Sequence, residues 1–350
     1  MLIFNQVSHM ELSNKLAFKN REEKMLKFKK VLLSVLVLVV IIAVVGCGVN
    51  KTPEASQNEA ARVVEHAMGK TEIKGTPIRI VTLYQGATDT AIALGVKPVG
   101  VVESWVEPPV YKYLRDDLAD AVIVGEETQP NLEEIAKLKP DLIIASKLRH
   151  EKIYDQLSQI APTVTHETVF KFKDTVKLMG QAMNKETEAQ KLLLDWDNRV
   201  ADFKAKISAK LGNEWPIEVS VLNFRADHAR IYVTGFAGDI LNELGFVRSE
   251  VQKKAAEEGN VVLKLTTMES IPSMNAEVFF IFAADAHNAD AKAIQRTFDE
   301  WTNHPLWKNL EAVKNNRFYT VDEVAWNMGG GYISANTMLD QIYEHFGLDK

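Results

Sequence analysis

Two stretches of this chain, 136 residues apart, follow one plan. Leu132-Glu133-Glu134-Ile135-Ala136-Lys137-Leu138-Lys139-Pro140-Asp141-Leu142-Ile143-Ile144 lies over Met268-Glu269-Ser270-Ile271-Pro272-Ser273-Met274-Asn275-Ala276-Glu277-Val278-Phe279-Phe280. The apolar positions, the first Glu, the later acidic residue and the closing strand pattern all coincide. Earlier in each half, Asp89 to Val96 lies over Asp239 to Phe246. Two matches in the same order imply a related pair of halves. Around them, apolar β-branched runs (Ile78 to Leu83, Pro98 to Val102, Val122 to Val124, Asp141 to Ala145, Glu218 to Phe224, Arg230 to Val233, Val278 to Phe282) alternate with helical patterns such as Thr88 to Leu94, Asn131 to Leu138 and Gly238 to Leu244. That rhythm predicts parallel-rich sheets with helices on both faces. Between the halves, Asp174 to Asn184 and Glu186 to Lys210 read as long helices, with Leu192, Leu193, Trp196, Val200 and Phe203 at helical spacing. The expected fold class is α/β: two lobes joined by a long helix, with the ligand in the cleft between them.

The amino end has another origin. Lys27, Lys29 and Lys30 precede an apolar run, Val31 to Val45, followed by Gly46 and the only cysteine, Cys47. A basic start, an apolar middle and a small residue at the break describe an export signal. The run holds 15 residues, and a bilayer crossing needs ~20. Val44-Val45-Gly46-Cys47 resembles the lipobox of bacterial lipoproteins, which implies cleavage before Cys47, acylation of its thiol, and a body moored to the outer face of the cell membrane. The competing reading is an uncleaved anchor. Met25 stands where such signals begin, so residues 1–24 read as an upstream extension of the 1–46 signal. Residues 47–73 are polar and poor in aromatics, and are expected to be a flexible tether.

Charge narrows the partners. The whole chain carries a formal −6, and removing a +4 signal leaves the exported body at −10. That argues against nucleic acid, which needs clustered basic charge, and allows an anionic ligand only where a few cations are focused in a cleft. One cysteine rules out an intrachain disulfide. No Gly-x-Ser-x-Gly elbow or Walker loop is present, so no enzyme is expected.

With those features in hand, the chain resembles an iron–siderophore substrate-binding lipoprotein of an ABC importer, of the Gram-positive type. The residues that carry the resemblance are Arg79-Ile-Val-Thr-Leu-Tyr, Leu94-Gly-Val-Lys-Pro-Val-Gly, Pro130-Asn-Leu-Glu-Glu-Ile-Ala-Lys-Leu-Lys-Pro-Asp-Leu-Ile, Asn223-Phe-Arg-Ala-Asp and Trp307-Lys-Asn-Leu-Glu-Ala-Val-Lys-Asn-Asn-Arg, in order over residues 74–348. Within the family the chain is similar to binders of citrate-hydroxamate siderophores such as schizokinen. The resemblance implies two Rossmann-like lobes, 74–168 and 186–350, bridged by one helix within 169–185. It also implies a monomer, no cofactor, a ferric siderophore as cargo and an ABC permease as partner. Glu133 and Glu269, one per half, take the place of the family's permease-docking glutamates. Helix-start glutamates favoured by the dipole are the plainer alternative.

A ferric siderophore satisfies its iron with its own oxygens, so no protein metal ligand is expected. The histidines at 66, 150, 166, 228, 287, 304 and 345 show no paired spacing. The cargo calls instead for cationic donors and aromatic surface. Arg225 follows the strand ending at Phe224, at the carboxyl end where α/β clefts form, and a guanidinium matches carboxylate oxygens two at a time. The alternative is a surface pair with Asp227. His228 shares that turn, and Arg230 is expected to face solvent. Tyr84 and Gln85 end the first strand, Trp105 another, and Lys147 and Arg149 follow the strand Asp141 to Ala145. Trp326, Asn327 and Tyr332 flank Gly329-Gly330-Gly331, a triplet expected to let the backbone approach a ligand or a neighbouring helix. Haem or cobalamin, with Tyr84 or His228 as a haem ligand, and a receptor ectodomain without a transport role remain as alternatives.

Overall fold

The computed structural model describes residues 61–282 and 290–350; Cys47, the signal, the first part of the expected tether and His287 lie outside that range. The chain begins with a hairpin, β1 (Arg62–His66) and β2 (Gly69–Ile73). It continues through β3 (Ile80–Thr82), α1 (Gln85–Ala93), β4 (Gly100–Glu103), β5 (Val122–Glu126), β6 (Gln129–Pro130), α2 (Leu132–Lys137), β7 (Leu142–Ser146), α3 (Tyr154–Ile160) and β8 (Thr163–His166). Two helices follow, α4 (Phe172–Ala182) and α5 (Glu186–Leu211). The second half holds β9 (Val219–Phe224), β10 (Ala229–Tyr232), α6 (Gly235–Leu244), α7 (Glu250–Glu257), β11 (Val262–Leu265), a 3₁₀ turn (Met268–Met274), β12 (Val278–Phe282), α8 (Ala291–Asn303), β13 (Phe318–Val321), a π turn (Val324–Met328) and α9 (Tyr332–His345).

The hairpin corrects one expectation. Residues 62–73 fall inside the span read as tether, yet Val64 and Ile73 are buried in the first lobe. Arg62 caps the carboxyl end of α4, donating to the carbonyls of Gln181 at 2.8 Å and Ala182 at 2.7 Å. His66 meets Thr165 of β8 at 3.0 Å. With so few apolar residues the segment looks like a linker; polar contacts to another part of the fold order it.

Strand order is β6-β5-β4-β3-β7-β8 in one sheet and β11-β10-β9-β12-β13 in the other. The central strands β7, β9 and β12 are buried along their whole length, as sheets covered on both faces require. Alternation divides each lobe into two half-cores. Ile80, Leu142 and Ile144 face one side of the first sheet, while Val81 and Ile143 face the other. Val219, Val221, Val278 and Phe280 likewise separate from Leu222, Phe224, Phe279 and Ile281.

Two helices link the lobes. Phe172, the first residue of α4, packs edge-on against Trp196 with ring centroids 4.9 Å apart in the second lobe's core, whereas Val176 and Met179 belong to the first. α5 returns the other way, with Ala189 in the first core and Trp196, Val200, Phe203 and Ile207 in the second. The helices run antiparallel, since Lys173 reaches Asp197 and a Cβ on Gly180 would stand 2.5 Å from that of Ala189. Among the described residues, no helix is long and apolar enough to cross a membrane.

Candidate functional site

The carboxyl ends of β3, β4, β5 and β7 from one lobe, and of β9 and β13 from the other, face a common cleft of about 250 Å³. This is where open α/β sheets place ligands. Its lining joins Gln85, Gly86, Trp105, Glu127, Arg149, Val169 and Phe170 to Arg225, Arg230, Tyr232, Asn327, Met328 and Gly330.

On the first lobe, Glu127 is only 3% exposed. One of its carboxylate oxygens accepts the Gln85 N–H at 3.2 Å and the other accepts Nε–H of Arg149 at 3.2 Å. Its carbonyl accepts Nε2–H of His150 at 2.8 Å, because the other ring nitrogen of His150 takes the Ser146 N–H at 3.1 Å. Burial pushes the Glu127 carboxyl up, against the pull of the Gln85 N–H and the Arg149 charge. The Arg149 guanidinium lies 5.9 Å from the ring centre of Trp105, within cation–π range. Trp105 is 46% exposed and so free to meet a ligand.

The second lobe supplies two cations. Arg225 donates through one Nη to Glu323 at 3.4 Å, and its buried Nε has no partner. The same Glu323 oxygen accepts Nδ2–H of Asn223 at 2.8 Å. Burial raises the Glu323 carboxyl too, opposed first by the Arg225 charge. Arg230 donates through Nε to His228 at 3.0 Å, and Asn327 donates to the Tyr232 hydroxyl at 3.3 Å. Three guanidiniums from two lobes thus border the cleft beside the buried Glu127 and the partly buried Glu323 carboxylates. Each is held by one edge, which leaves donors for a carboxylate or another hard oxygen ligand.

The cleft floor is a close backbone crossing. A Cβ on Gly86 would stand 2.5 Å from the Gly330 carbonyl, and one on Gly331 would collide with Asp89. Asp89, on α1, accepts the N–H groups of Ile333 at 2.7 Å and Ser334 at 2.9 Å, capping α9 across the lobe boundary. It also accepts the Tyr113 hydroxyl at 2.7 Å. Its complete burial lifts the carboxyl to about 6 despite these donors. Tyr111 donates to the Met328 carbonyl at 3.1 Å beside it. The glycine triplet allows a close approach to α1, and Gly330 also lines the cleft.

Of the ten residues expected to bind, Gln85, Trp105, Arg149, Arg225 and Asn327 line this cleft. Five do not. Tyr84 points into the first core, with its hydroxyl 3.1 Å from Thr175. Trp326 fills the second core and donates to Gln341 at 2.8 Å. Tyr332 packs between the two cores. Lys147 pairs with Glu167 at 3.0 Å. His228 stands behind Arg230. Arg230, expected in solvent, is a cleft residue, and its spacing of two from Tyr232 on one strand is the signal that shows it. Arg225 pairs with Glu323 rather than Asp227. Glu127 looked like any acidic turn residue, and Val169 and Phe170 carry no polar signal at all. Glu133 and Glu269 are both exposed, on α2 and on the 3₁₀ turn. Among the described residues, no group of three or more His, Cys, Asp or Glu side chains gathers as a metal site would require.

The periplasmic binding protein family matches residues 80–325. The achromobactin-binding periplasmic protein of Dickeya dadantii is 46% identical over 273 residues, covering 78% of this chain and 87% of its own. A probable siderophore-binding lipoprotein of Bacillus subtilis, YfiY, is 42% identical over 323 residues, 90% of this chain and 98% of that one. The crystal structure of Staphylococcus aureus SirA complexed with staphyloferrin B superposes with a TM-score of 0.80 at 54% identity, over 82% of this chain and 99% of SirA.

Proposed function

This chain belongs to the periplasmic binding protein family, and from that premise we propose that its cleft captures a ferric siderophore of the citrate-hydroxamate type and delivers it to an ABC permease. It is a substrate-binding transport protein, not an enzyme, and the iron complex is cargo rather than cofactor. The observation that carries the reading is the convergence of Arg149, Arg225 and Arg230 on one cleft from opposite lobes, beside the exposed face of Trp105. Forked cations meet citrate carboxylates and hydroxamate oxygens in pairs. The indole covers the carbon backbone. Neither haem ligand suggested by the sequence is offered to the cleft: the Tyr84 hydroxyl faces the core, and both ring nitrogens of His228 are engaged.

Delivery rests on Glu133 and Glu269 as docking points for permease cations, one on each lobe. Cys47 is assigned as the lipid attachment that holds the protein, as a monomer, at the outer face of the membrane. The expected test is titration with a panel of ferric siderophores, haem and cobalamin while following tryptophan emission. Ferric citrate-hydroxamates quench the wild type, and Trp105→Phe removes most of that quenching. Response to haem or cobalamin alone overturns the ligand class. For docking, Glu133→Ala with Glu269→Ala blocks cellular uptake at unchanged affinity; normal uptake by the double variant rejects it.

A further inference from the structure

Arg230 differs from the other cleft arginines in what holds it. Arg149 and Arg225 each contact a carboxylate, Glu127 or Glu323, and a ligand must compete with that carboxylate for them. Arg230 instead donates through Nε to Nε2 of His228 at 3.0 Å, and among the described residues it forms no ion pair within 4.0 Å. An imidazole nitrogen that accepts from a guanidinium carries no proton. The ring proton of His228 therefore sits on Nδ1, 2.5 Å from the Asp227 carboxylate. His228 is 6% exposed, in the turn between β9 and β10 that closes with the Arg225 N–H on the His228 carbonyl at 2.8 Å. One hairpin thus carries two cleft cations, Arg225 in its turn and Arg230 on β10, and the ring that aims one of them.

We infer that Asp227 and His228 form a positioning relay. Asp227 fixes the tautomer of His228, and His228 holds Arg230 by its Nε edge, leaving its Nη donors for the ligand. The ring is a neutral acceptor, so it orients the guanidinium without neutralising it. Among the described residues, no carboxylate contacts Arg230, so it meets the ligand without a competing ion pair. This role holds for the cleft as the siderophore site. It makes His228 a residue that acts through another and touches no ligand.

The test uses the full chain and ferric schizokinen as the probe. His228→Ala weakens binding roughly tenfold, the scale of one hydrogen bond to a charged group. His228→Gln places an amide oxygen near the Nε2 position and restores affinity to within about twofold of wild type. In an Arg230→Ala background, His228→Ala has no further effect. Equal losses in the Ala and Gln variants, or an undiminished loss without Arg230, overturn the relay. Nitrogen NMR of the ligand-free wild type gives a separate reading. It is expected to show a neutral Nδ1–H ring and a protected Arg230 Nε–H that is lost in His228→Ala; an Nε2–H tautomer rejects the inference whatever the protein binds. If ferric schizokinen fails to bind the wild type while the tautomer is as expected, the ligand assignment falls and the relay stands.

Discussion

In the first lobe β3 leads into α1 and then into parallel β4; in the second, β9 turns straight back into antiparallel β10. The five strands β5-β4-β3-β7-β8 correspond in order to β11-β10-β9-β12-β13. The repeat around Glu133 and Glu269 keeps its place, because α2 and the 3₁₀ turn each precede a strand, β7 or β12, that pairs with the first strand of its sheet. The helices matched through Asp89 and Asp239 do not keep theirs: α1 follows the first strand, while α6 follows the second. Duplication preserved a frame and left the cleft chemistry free to diverge. The β9–β10 hairpin brings two arginines to the second wall, where the first has one. Matched aspartates diverge as well, since Asp89 is buried under α9 and Asp239 makes a half-exposed pair with Lys171 at 3.1 Å.

The sharpest test of that divergence is Asp89→Ala. It strips the acceptor from three donors, the Tyr113 hydroxyl and the N–H groups of Ile333 and Ser334, and is expected to cost ~2–4 kcal/mol at pH 7 by urea unfolding. This cost depends on pH with a definite sign. Burial raises the carboxyl from 3.8 to about 6 in the folded state, so the native protein holds more protons than the unfolded chain between those values. Its contribution to stability is greatest below pH ~4 and falls by up to ~3 kcal/mol as pH rises through ~6. The difference between wild type and Asp89→Ala therefore widens on acidification; a flat difference rejects the assignment.

The two walls separate next. Arg230→Ala is expected to lose ~3 kcal/mol of siderophore affinity and Arg225→Ala ~1.5–3 kcal/mol, on the scale of charged hydrogen bonds. Arg149→Ala loses ~1 kcal/mol, because its ion pair with Glu127 already occupies one edge. Calorimetry orders the three, and an Arg149 effect as large as that of Arg230 erases the asymmetry. The smallest effect belongs to Asp239→Ala, at ~0.5 kcal/mol of stability or less, as for a half-exposed ion pair.

Much of this molecule was legible before folding was considered. Apolar runs such as Leu142 to Ala145 and Val219 to Leu222 mark central strands, because burial on both faces leaves no polar position. Strand ends then mark the cleft, which found Gln85, Trp105, Arg149 and Arg225. The hairpin β1–β2 was missed because polar anchoring by Arg62 and His66 leaves no apolar pattern. Tyr84 and Trp326 were expected in the cleft beside Gln85 and Asn327, and of each pair only the second residue lines it. Successive residues on an extended backbone face opposite sides, and on a helix they stand about 100° apart.

Local order along the chain was enough to determine a two-lobed α/β fold and the ends of strands, because period and composition report which faces must avoid water. Convergence was not. Whether Arg230 meets Arg149 depends on how two separate sheets are set against each other by α4, α5 and the crossing of Gly86 with Gly330. Those are contacts between residues far apart in sequence, and only packing decides which side chains come to share one space.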